Sequence, residues 1–414
     1  MAEAAVGRRE RKKARTKQAI ADAALDLFLE HGFDEVTVKD VAEAADVSMS
    51  GLFKHFPTKE SLVFDEDADL RPALVSAVRD HRDGTPVLRS LQDFLADYFG
   101  ESAADPRMAG VLRLVATTPA LNVYARRRWL RHERALTQAI QDAGPQAPGA
   151  EEAARAVARF VLESLPSWQP DDLHDEVDAA FSLLREGWQA PEPRRDGPIP
   201  ATDPECAQAA LGGGTARAPG LRERKKAQTR RAITRTALEL FTEHGYDEVG
   251  VRQIAEAAGV SPATLFIYFP DGKASLIFPG DRTDRAANLV HAVRHRAPGR
   301  TILRSLHDHM AQRGPFKPDP TPDEQRVLDL VRGTPELADY VLQSWRTAQD
   351  AVTEVIAEEC GLPADDPGAR LLTRYVLQIP DLASTSGDAR LTLDVVTRLL
   401  EQGWPRCLIE PSQR

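Results

Sequence analysis

Two runs of basic side chains could neutralise the phosphate charges of a nucleic acid. One lies in RRERKKARTK, which begins at Arg8, and the other in LRERKKAQTRR, which begins at Leu221. Lysines and arginines in such runs displace the counterions of a nucleic acid, which supplies affinity without sequence preference. The whole chain has a formal net charge of -10, so such contacts must come from these local islands. A basic run alone also fits a solvated tail, and the segment next to each run decides between the two.

The same segment comes after each basic run. From Glu10, ERKKARTKQAIADAALDLFLEHGFDEVTVKDVAEAADVSMSGLFKHFP aligns without a gap with ERKKAQTRRAITRTALELFTEHGYDEVGVRQIAEAAGVSPATLFIYFP from Glu223, and roughly three positions in five are identical. Weaker matches continue, including Trp129 with Trp345 and LLREGW with LLEQGW. The period is about half the chain, which predicts a tandem of two whole units rather than a solenoid.

Helical spacing of apolar residues predicts an all-α chain with two units. We predict helix-turn-helix heads at residues 8–64 and 221–278, and helical bodies at 65–190 and 279–410. Residues 191–220 are rich in proline, glycine and alanine, which is typical of a linker.

Cap and turn residues predict three helices in each head. Ser48 and Ser261 are placed to cap the third helix. The turn before it requires a residue that tolerates a left-handed backbone. Gly259 adopts that conformation freely, whereas Asp46 adopts it at a cost of ~1 kcal/mol. A helix, a short turn and a second helix form the helix-turn-helix signature.

The third helix of such a head enters the major groove, where its exposed side chains reach base edges. The predicted reading positions are Ser48, Met49, Ser50, Gly51, Lys54 and His55 in the first unit, and Ser261, Pro262, Ala263, Thr264, Ile267 and Tyr268 in the second. The predicted phosphate contacts are Arg11, Lys12, Lys13, Thr37, Lys39 and His55, and Arg224, Lys225, Lys226, Arg252 and Tyr268. Apolar residues shared by both copies, such as Leu52 with Leu265 and Phe56 with Phe269, are predicted to form the core. The copies therefore keep the scaffold and vary the reading surface, which predicts two different half-sites.

The segments ALDLFLEHGFDEVTVKDVAEAADVSMSGLFKHFPTKESL and ALELFTEHGYDEVGVRQIAEAAGVSPATLFIYFPDGKASL resemble the DNA-binding domain of the TetR (tetracycline repressor) family. The resemblance implies a three-helix head, a helical ligand-binding body and a homodimer on a palindromic site. This chain departs from that pattern by carrying two units. We therefore expect an intrachain pseudo-dimer, with two chains joining as four units as the alternative.

The resemblance also assigns roles to individual residues. In the family a lysine after the FP pair often contacts phosphate, which implies this role for Lys59. Lys273 is the candidate for the same contact in the second unit, but it is one residue further along in its segment, so we expect it to be displaced. Trp129 and Trp345 could line a ligand pocket, although a core position is more common for tryptophan. His307 and His309 lack metal-ligand spacing and are expected at the surface.

The resemblance implies two partners, a double-stranded DNA operator and a small-molecule effector. The difference between the two reading surfaces predicts that this operator is asymmetric. The openings GRRERKKARTKQAI and GLRERKKAQTRRAI resemble an actinobacterial branch whose members are often assigned acyl-CoA-like ligands. Repression is the default action in the family.

Two other classes of function compete with this one. The alternative is a ligand-binding or heterodimerisation module whose heads no longer bind DNA. An enzyme fits poorly because the chain has no phosphate loop, GxSxG or HExxH motif, and no metal or cofactor site is predicted. No apolar run approaches the ~18–20 residues of a membrane helix and no signal peptide is visible, so we expect the cytoplasm.

Overall fold

Helices dominate the described part of the chain, as the sequence predicts. The computed structural model describes residues 8–64, 70–79, 86–167, 170–190, 221–278, 282–384 and 386–408. These ranges contain α-helices and short 3-10 helices and no strand. None of their helices is long and apolar enough to span a bilayer. The predicted linker at 191–220 lies outside the described residues.

The first half of the chain begins with three head helices and continues with longer body helices. The head contains α1 (Arg8–His31), α2 (Val38–Ala44) and α3 (Met49–His55). The body contains α4 (Arg71–Arg79), α5 (Val87–Ala104), α6 (Pro106–Thr117), α7 (Pro119–Leu130), α8 (Glu133–Ala143), α9 (Ala150–Ser164) and α10 (Leu173–Glu186). Short 3-10 turns cover Glu60–Val63 and Leu165–Ser167.

The second half repeats this order. Its head contains α11 (Leu221–His244), α12 (Val251–Ala257) and α13 (Pro262–Tyr268). Its body contains α14 (Arg282–Arg294), α15 (Ile302–Ala311), α16 (Pro322–Gly333), α17 (Pro335–Arg346), α18 (Gln349–Cys360), α19 (Pro367–Ser384) and α20 (Ala389–Gln402). Short 3-10 turns cover Lys273–Ile277, Gly314–Phe316 and Arg406–Leu408.

The chain forms two compact units whose borders differ from those of the repeat. The first comprises Met1–Gln146 and Ala154–Ser182, and the second comprises Ala147–Ala153 and Leu183–Arg414. The last turn of α10 and the first residues of α9 therefore belong to the second unit.

A buried apolar cluster holds the three helices of each head together. Leu52 and Phe56 are at most 1% exposed in the first head, and Leu265 and Phe269 are fully buried in the second. Burial of each such side chain contributes roughly 1.5–3 kcal/mol. The prediction that these shared apolar residues form the core is confirmed. They attach α3 and α13 to the rest of each head through the inner faces of the two helices.

The turn between the second and third helices takes the predicted left-handed backbone in both heads. Gly259 has a φ of +67° and Asp46 has a φ of +51°. In each turn the next backbone N–H donates a hydrogen bond to a carbonyl oxygen of the preceding helix. The Val47 N–H donates to Ala42 O at 3.0 Å, and the Val260 N–H donates to Ala255 O at 2.9 Å. The first head therefore makes the same turn with Asp46, whose Cβ atom disfavours a positive φ.

Asp46→Gly is expected to stabilise the turn of the first head by up to about 1 kcal/mol, because glycine has no Cβ to oppose a positive φ. The backbone amide of Val47 should exchange with deuterium about fivefold more slowly. Gly259→Asp is the mirror-image control and should speed exchange at Val260. Unchanged exchange in both variants would show that the positive φ of Asp46 carries no penalty.

The two copies of the LLxxGW motif meet within the second unit. The backbone N–H of Trp188 donates to Leu400 O at 2.7 Å, and the N–H of Trp404 donates to Leu184 O at 2.7 Å. If the two motifs are exchanged, the first hydrogen bond becomes the second and the second becomes the first. This reciprocity is the pattern of a two-fold symmetric contact. We call this pair of motifs, residues 183–188 and 399–404, the glycine clasp.

Glycine is required at both centres of the glycine clasp. Gly187 and Gly403 have φ values of +78° and +74°. A Cβ atom at Gly403 would overlap the carbonyl group of Arg185, and one at Gly187 would overlap the backbone of Glu401. The close backbone approach, and with it the reciprocal hydrogen bonds, depends on the absence of a side chain at both positions.

Candidate nucleic-acid interface

The basic residues at the start of each head lie on a helix rather than in a tail. Helix α1 begins at Arg8, and the side chains of Arg11, Lys12 and Lys13 are exposed on its first turns. Lys225 and Lys226 are likewise exposed on α11. The side chain of Arg224 is outside the described residues. Helix α1 also contributes Ile20 and Phe28 to the head core, so the helix that carries the basic turn packs against the same core as α3.

A capping box orients the start of α2 in the first head. The Thr37 N–H and hydroxyl both donate to Asp40 Oδ2 at 2.7 Å, and the Asp40 N–H donates back to Thr37 Oγ1 at 3.3 Å. The hydrogen bonds from the Thr37 side chain and backbone hold the pKa of Asp40 below its ordinary value. Gly250 takes the place of Thr37 in the second head and offers no side-chain cap. The neighbouring cations Lys39 and Arg252 are both exposed, as phosphate contacts require.

Helix α3 presents the predicted reading positions of the first head on its outer face. Ser48 caps the helix by accepting from the Gly51 N–H at 3.1 Å, and its hydroxyl lies 3.2 Å from that of Ser50. Met49, Ser50 and Lys54 are exposed. His55 is half-buried, with its Nδ1 atom enclosed, so less of its ring is available than the sequence predicts. This surface offers hydroxyls and one ammonium group, which can donate to guanine acceptors.

Helix α13 is built in the same way and presents a different chemistry. Ser261 accepts from the Thr264 N–H at 3.0 Å, and Pro262 occupies the first turn. Ala263 and Ile267 are exposed, Ile267 at 75%. Thr264 and Tyr268 are half-buried, and Tyr268 packs against the core. This face is mainly apolar and suits contact with a thymine methyl group.

Two aromatic side chains on these faces are missed by the sequence analysis. Phe53 and Phe266 are the same residue in both copies, which suggested packing, yet they are 46% and 48% exposed. Helical spacing contains the signal, because Phe53 lies three residues after Ser50 and four after Met49, on the same face. Both heads therefore place an exposed phenyl ring among their reading positions.

The expected displacement of Lys273 is wrong. Its Nζ lies 4.1 Å from the ring centre of Tyr246, as the Nζ of Lys59 lies 4.3 Å from that of Phe33. Phe33 and Tyr246 occupy equivalent positions in the two copies. The additional residue is absorbed at Gly272, whose φ is +81°, a conformation that glycine adopts without strain. Both lysines therefore stand at equivalent places, with their charge over an aromatic face.

Direct hydrogen bonds join the second head to its body. The hydroxyl of Tyr246 donates to Glu336 Oε1 at 2.8 Å, and that of Tyr340 donates to Asp271 Oδ2 at 3.3 Å. Burial, and next the hydrogen bond to Glu336, raise the pKa of Tyr246, so it stays a neutral donor. The ring of Tyr340 stacks on Phe278 at 5.4 Å. Movement of α17, which carries Glu336 and Tyr340, would therefore act on the head.

A cavity of about 350 Å³ lies in the body of the second unit. Trp345 is part of its wall, and its role in binding a ligand stays a prediction. Trp129 packs at 6.0 Å from the ring of Phe99. The expectation for the two histidines is wrong: His307 is 11% exposed and bonds Asp394 at 2.6 Å, and His309 lines the cavity. Burial lowers the pKa of His309 to about 4.

Two packed helix pairs, each with an exposed second helix in a head that begins with a basic helical turn, define a helix-turn-helix DNA-binding protein. Residues 20–65 and 233–278 both match the family described as bacterial regulatory proteins, tetR family. The chain belongs to the TetR family of transcriptional regulators and carries the family's DNA-binding domain twice.

Curated relatives agree with this assignment. The HTH-type transcriptional regulator TcmR of Streptomyces glaucescens is 30% identical over 158 residues, which cover 37% of this chain and 69% of TcmR. The regulator MftR of Mycobacterium tuberculosis is 32% identical over 139 residues, which cover 33% of this chain and 69% of MftR. Among solved structures, NalD, a repressor from Pseudomonas aeruginosa, matches 41% of this chain and 94% of its own at 20% identity and a TM-score of 0.30.

Proposed function

We propose that the chain is a ligand-responsive repressor that acts in the cytoplasm and reads an asymmetric operator through two unlike heads. One observation carries this proposal: the buried residues of α3 and α13 are shared, whereas several of their exposed residues differ. Lys54 of the first head corresponds to Ile267 of the second, and both are exposed. An ammonium group and a branched alkyl group cannot prefer the same base edge.

The glycine clasp supports an intrachain pseudo-dimer. Its two halves come from the two copies of one motif, and its backbone hydrogen bonds are reciprocal. Such a contact between identical chains would form a two-fold dimer. With both copies in one chain, pairing takes place at the high effective concentration of a tethered partner. One chain would then present both heads to one operator.

Contacts within the second unit support a response to a ligand. Val327 and Val331 line the cavity and also pack against the core of the second head. Phe278, another wall residue, stacks on Tyr340, which bonds Asp271 at the end of the head. A ligand that shifts this wall would change the position of the head, and so bias the chain between binding and releasing DNA.

Selection from randomised duplexes tests the proposed function. The wild-type protein should select two half-sites about one helical turn apart that differ at the base pairs facing Lys54 and Ile267. Lys54→Ile should change the preferred bases of one half-site only, with a cost of roughly 1–3 kcal/mol on the original sequence. Ile267→Lys is the matched variant and should change the other half-site.

Two outcomes would contradict the proposal in different ways. A palindromic consensus would mean that the divergent residues do not read bases. Recovery of no enriched sequence, together with no gel shift at low salt, would favour the alternative of a ligand-binding or heterodimerisation module with inactive heads.

A further inference from the structure

The cavity of the second unit combines an apolar body with a cationic border. It lies among α14, α15, α16, α17 and α19. Met310, Phe316, Val331, Val341 and Trp345 are among the apolar residues that line it. A volume of about 350 Å³ is at the small end of ligand sites. The apolar surface favours the hydrocarbon part of a ligand, since burying it away from water is favourable.

Three arginines line this cavity, and none of its described lining residues is acidic. The guanidinium of Arg285 lies 4.9 Å from the ring centre of Trp345 and donates to Ser344 Oγ. Arg313 donates to the backbone oxygen of His309 at 2.7 Å and has no carboxylate partner among the described residues. Arg332 is 3.5 Å from Asp329, a contact between exposed groups. The wall therefore has excess positive charge next to apolar surface.

His309, another polar residue of the wall, adds a hydrogen-bonding group without a charge. Burial, followed by the nearby Arg313 and His291, holds its pKa near 4, so its ring is neutral at pH 7. The positive charge of the site comes from the arginines alone. A guanidinium suits a planar carboxylate because two of its N–H groups can donate to the two oxygens.

The first unit has none of these charges at the corresponding positions. LVSAVR at 74–79 aligns with LVHAVR at 289–294, and VLRSL at 87–91 with ILRSL at 302–306. These alignments, with that of the two tryptophans, place Leu70, Tyr98 and Ala116 where the second unit has Arg285, Arg313 and Arg332. Phe94 takes the place of His309. All three cations and the polar ring are thus replaced by uncharged side chains.

Aromatic side chains pack against one another in that part of the first unit. Phe94 stacks on Tyr98 at 6.2 Å, and Tyr98 meets the edge of Phe99 at 5.2 Å. Phe99 lies 6.0 Å from Trp129, the counterpart of Trp345. In the second unit the corresponding tryptophan instead carries a guanidinium over its ring. The two bodies have therefore diverged in chemistry at the same place, just as the two heads have diverged at their reading faces.

We propose that the chain binds one hydrophobic carboxylate, or its thioester with an anionic carrier such as coenzyme A, in the cavity of the second unit, and none at the corresponding place in the first. The anionic group meets Arg313 and Arg332 at the border, and the hydrocarbon part lies against Trp345 and Phe316. The inference rests on the proposed ligand response, since it names the ligand class and assigns sensing to one of the two bodies.

Titration calorimetry on the full chain tests this with three probes of one chain length: decanoate, decanoyl-coenzyme A and the neutral decanamide. We expect one site per chain for at least one of the two anions. The amide should bind at least roughly tenfold more weakly than that anion, because it lacks the charge-assisted hydrogen bonds. Tighter binding of decanoate would identify a free acid, and tighter binding of the thioester would identify a carrier-bound acyl group.

Exchange of side chains between the units provides the decisive variant. Arg313→Tyr with Arg332→Ala installs the residues of the first unit and should weaken anion binding roughly tenfold or more, while decanamide binding changes less than about twofold. Arg294→Ala with Arg326→Ala is the control. It removes the same charge from exposed positions of the same unit that do not line the cavity, and it should bind the anions like the wild type.

Three results would overturn the inference: binding of neither anion, equal affinity for anion and amide, or two equivalent sites per chain. A gel shift on the same preparation keeps the two proposals apart. Anion binding by a protein that shifts no DNA contradicts the regulatory function and leaves the site intact. A specific gel shift by a protein that binds neither anion does the reverse.

Discussion

Gly403→Ala is expected to destabilise the second unit by roughly 2–4 kcal/mol. Two effects add: the penalty of a side chain at positive φ, about 1 kcal/mol, and the overlap of the new Cβ with the carbonyl group of Arg185, which the backbone must move to relieve. Because that movement separates the two LLxxGW motifs, the backbone amide of Trp404 should lose its protection from hydrogen exchange. Urea unfolding of the full chain, monitored by circular dichroism, measures the loss of stability.

Gly299→Ala is the matched control for this variant. Gly299 has a φ of +75°, close to that of Gly403, but a Cβ atom there would meet nothing within 4 Å. It should therefore cost only the conformational penalty of about 1 kcal/mol. Equal losses in the two variants would show that close approach in the glycine clasp contributes nothing.

The intrachain pseudo-dimer that the glycine clasp supports predicts that the wild-type protein is a single chain in solution. Sedimentation at micromolar concentration should give one chain of 45.5 kDa. A stable species of two chains, in which the first heads pair only with each other, would contradict the pseudo-dimer.

Lys12→Ala with Lys13→Ala is expected to weaken operator binding roughly 30-fold at 0.15 M salt, if each lysine neutralises one phosphate. Each lost phosphate contact removes about 0.9 from the slope of log affinity against log salt, which corresponds to roughly fivefold at that concentration. Both side chains are exposed on the first turns of α1, so the fold should be unaffected. Fluorescence anisotropy on the selected operator at several salt concentrations measures both affinity and slope.

The loss should be uniform across sequences, since phosphate contacts position a head without reading bases. Arg294→Ala with Arg326→Ala removes the same formal charge from the body of the second unit and controls for the change in net charge. An unaltered salt slope in the lysine variant would show that the basic turn is a solvated helix end. An equal effect in the control would assign the loss to net charge alone.

The amino-acid sequence by itself determined the all-helical fold, the duplication and the heads. These features depend on local signals: Ser48 and Ser261 cap their helices, Gly259 and Asp46 take the left-handed turn, and apolar spacing selects the buried faces. Each of these interactions spans a few residues, so spacing along the chain is enough to predict it. The predicted DNA-contact residues stay predictions, although most of their described side chains are exposed as such contacts require.

Tertiary structure decided what depends on residues distant in sequence. Lys273 contacts the aromatic ring of Tyr246 because the chain accommodates one additional residue at Gly272. His307 is largely buried with Asp394, which comes from another helix, as its hydrogen-bond partner. The glycine clasp and the arginines of the cavity meet only after the helices dock. Local propensity does not predict these contacts, because the free energy that stabilises them comes from residues that are distant in sequence and meet only through packing.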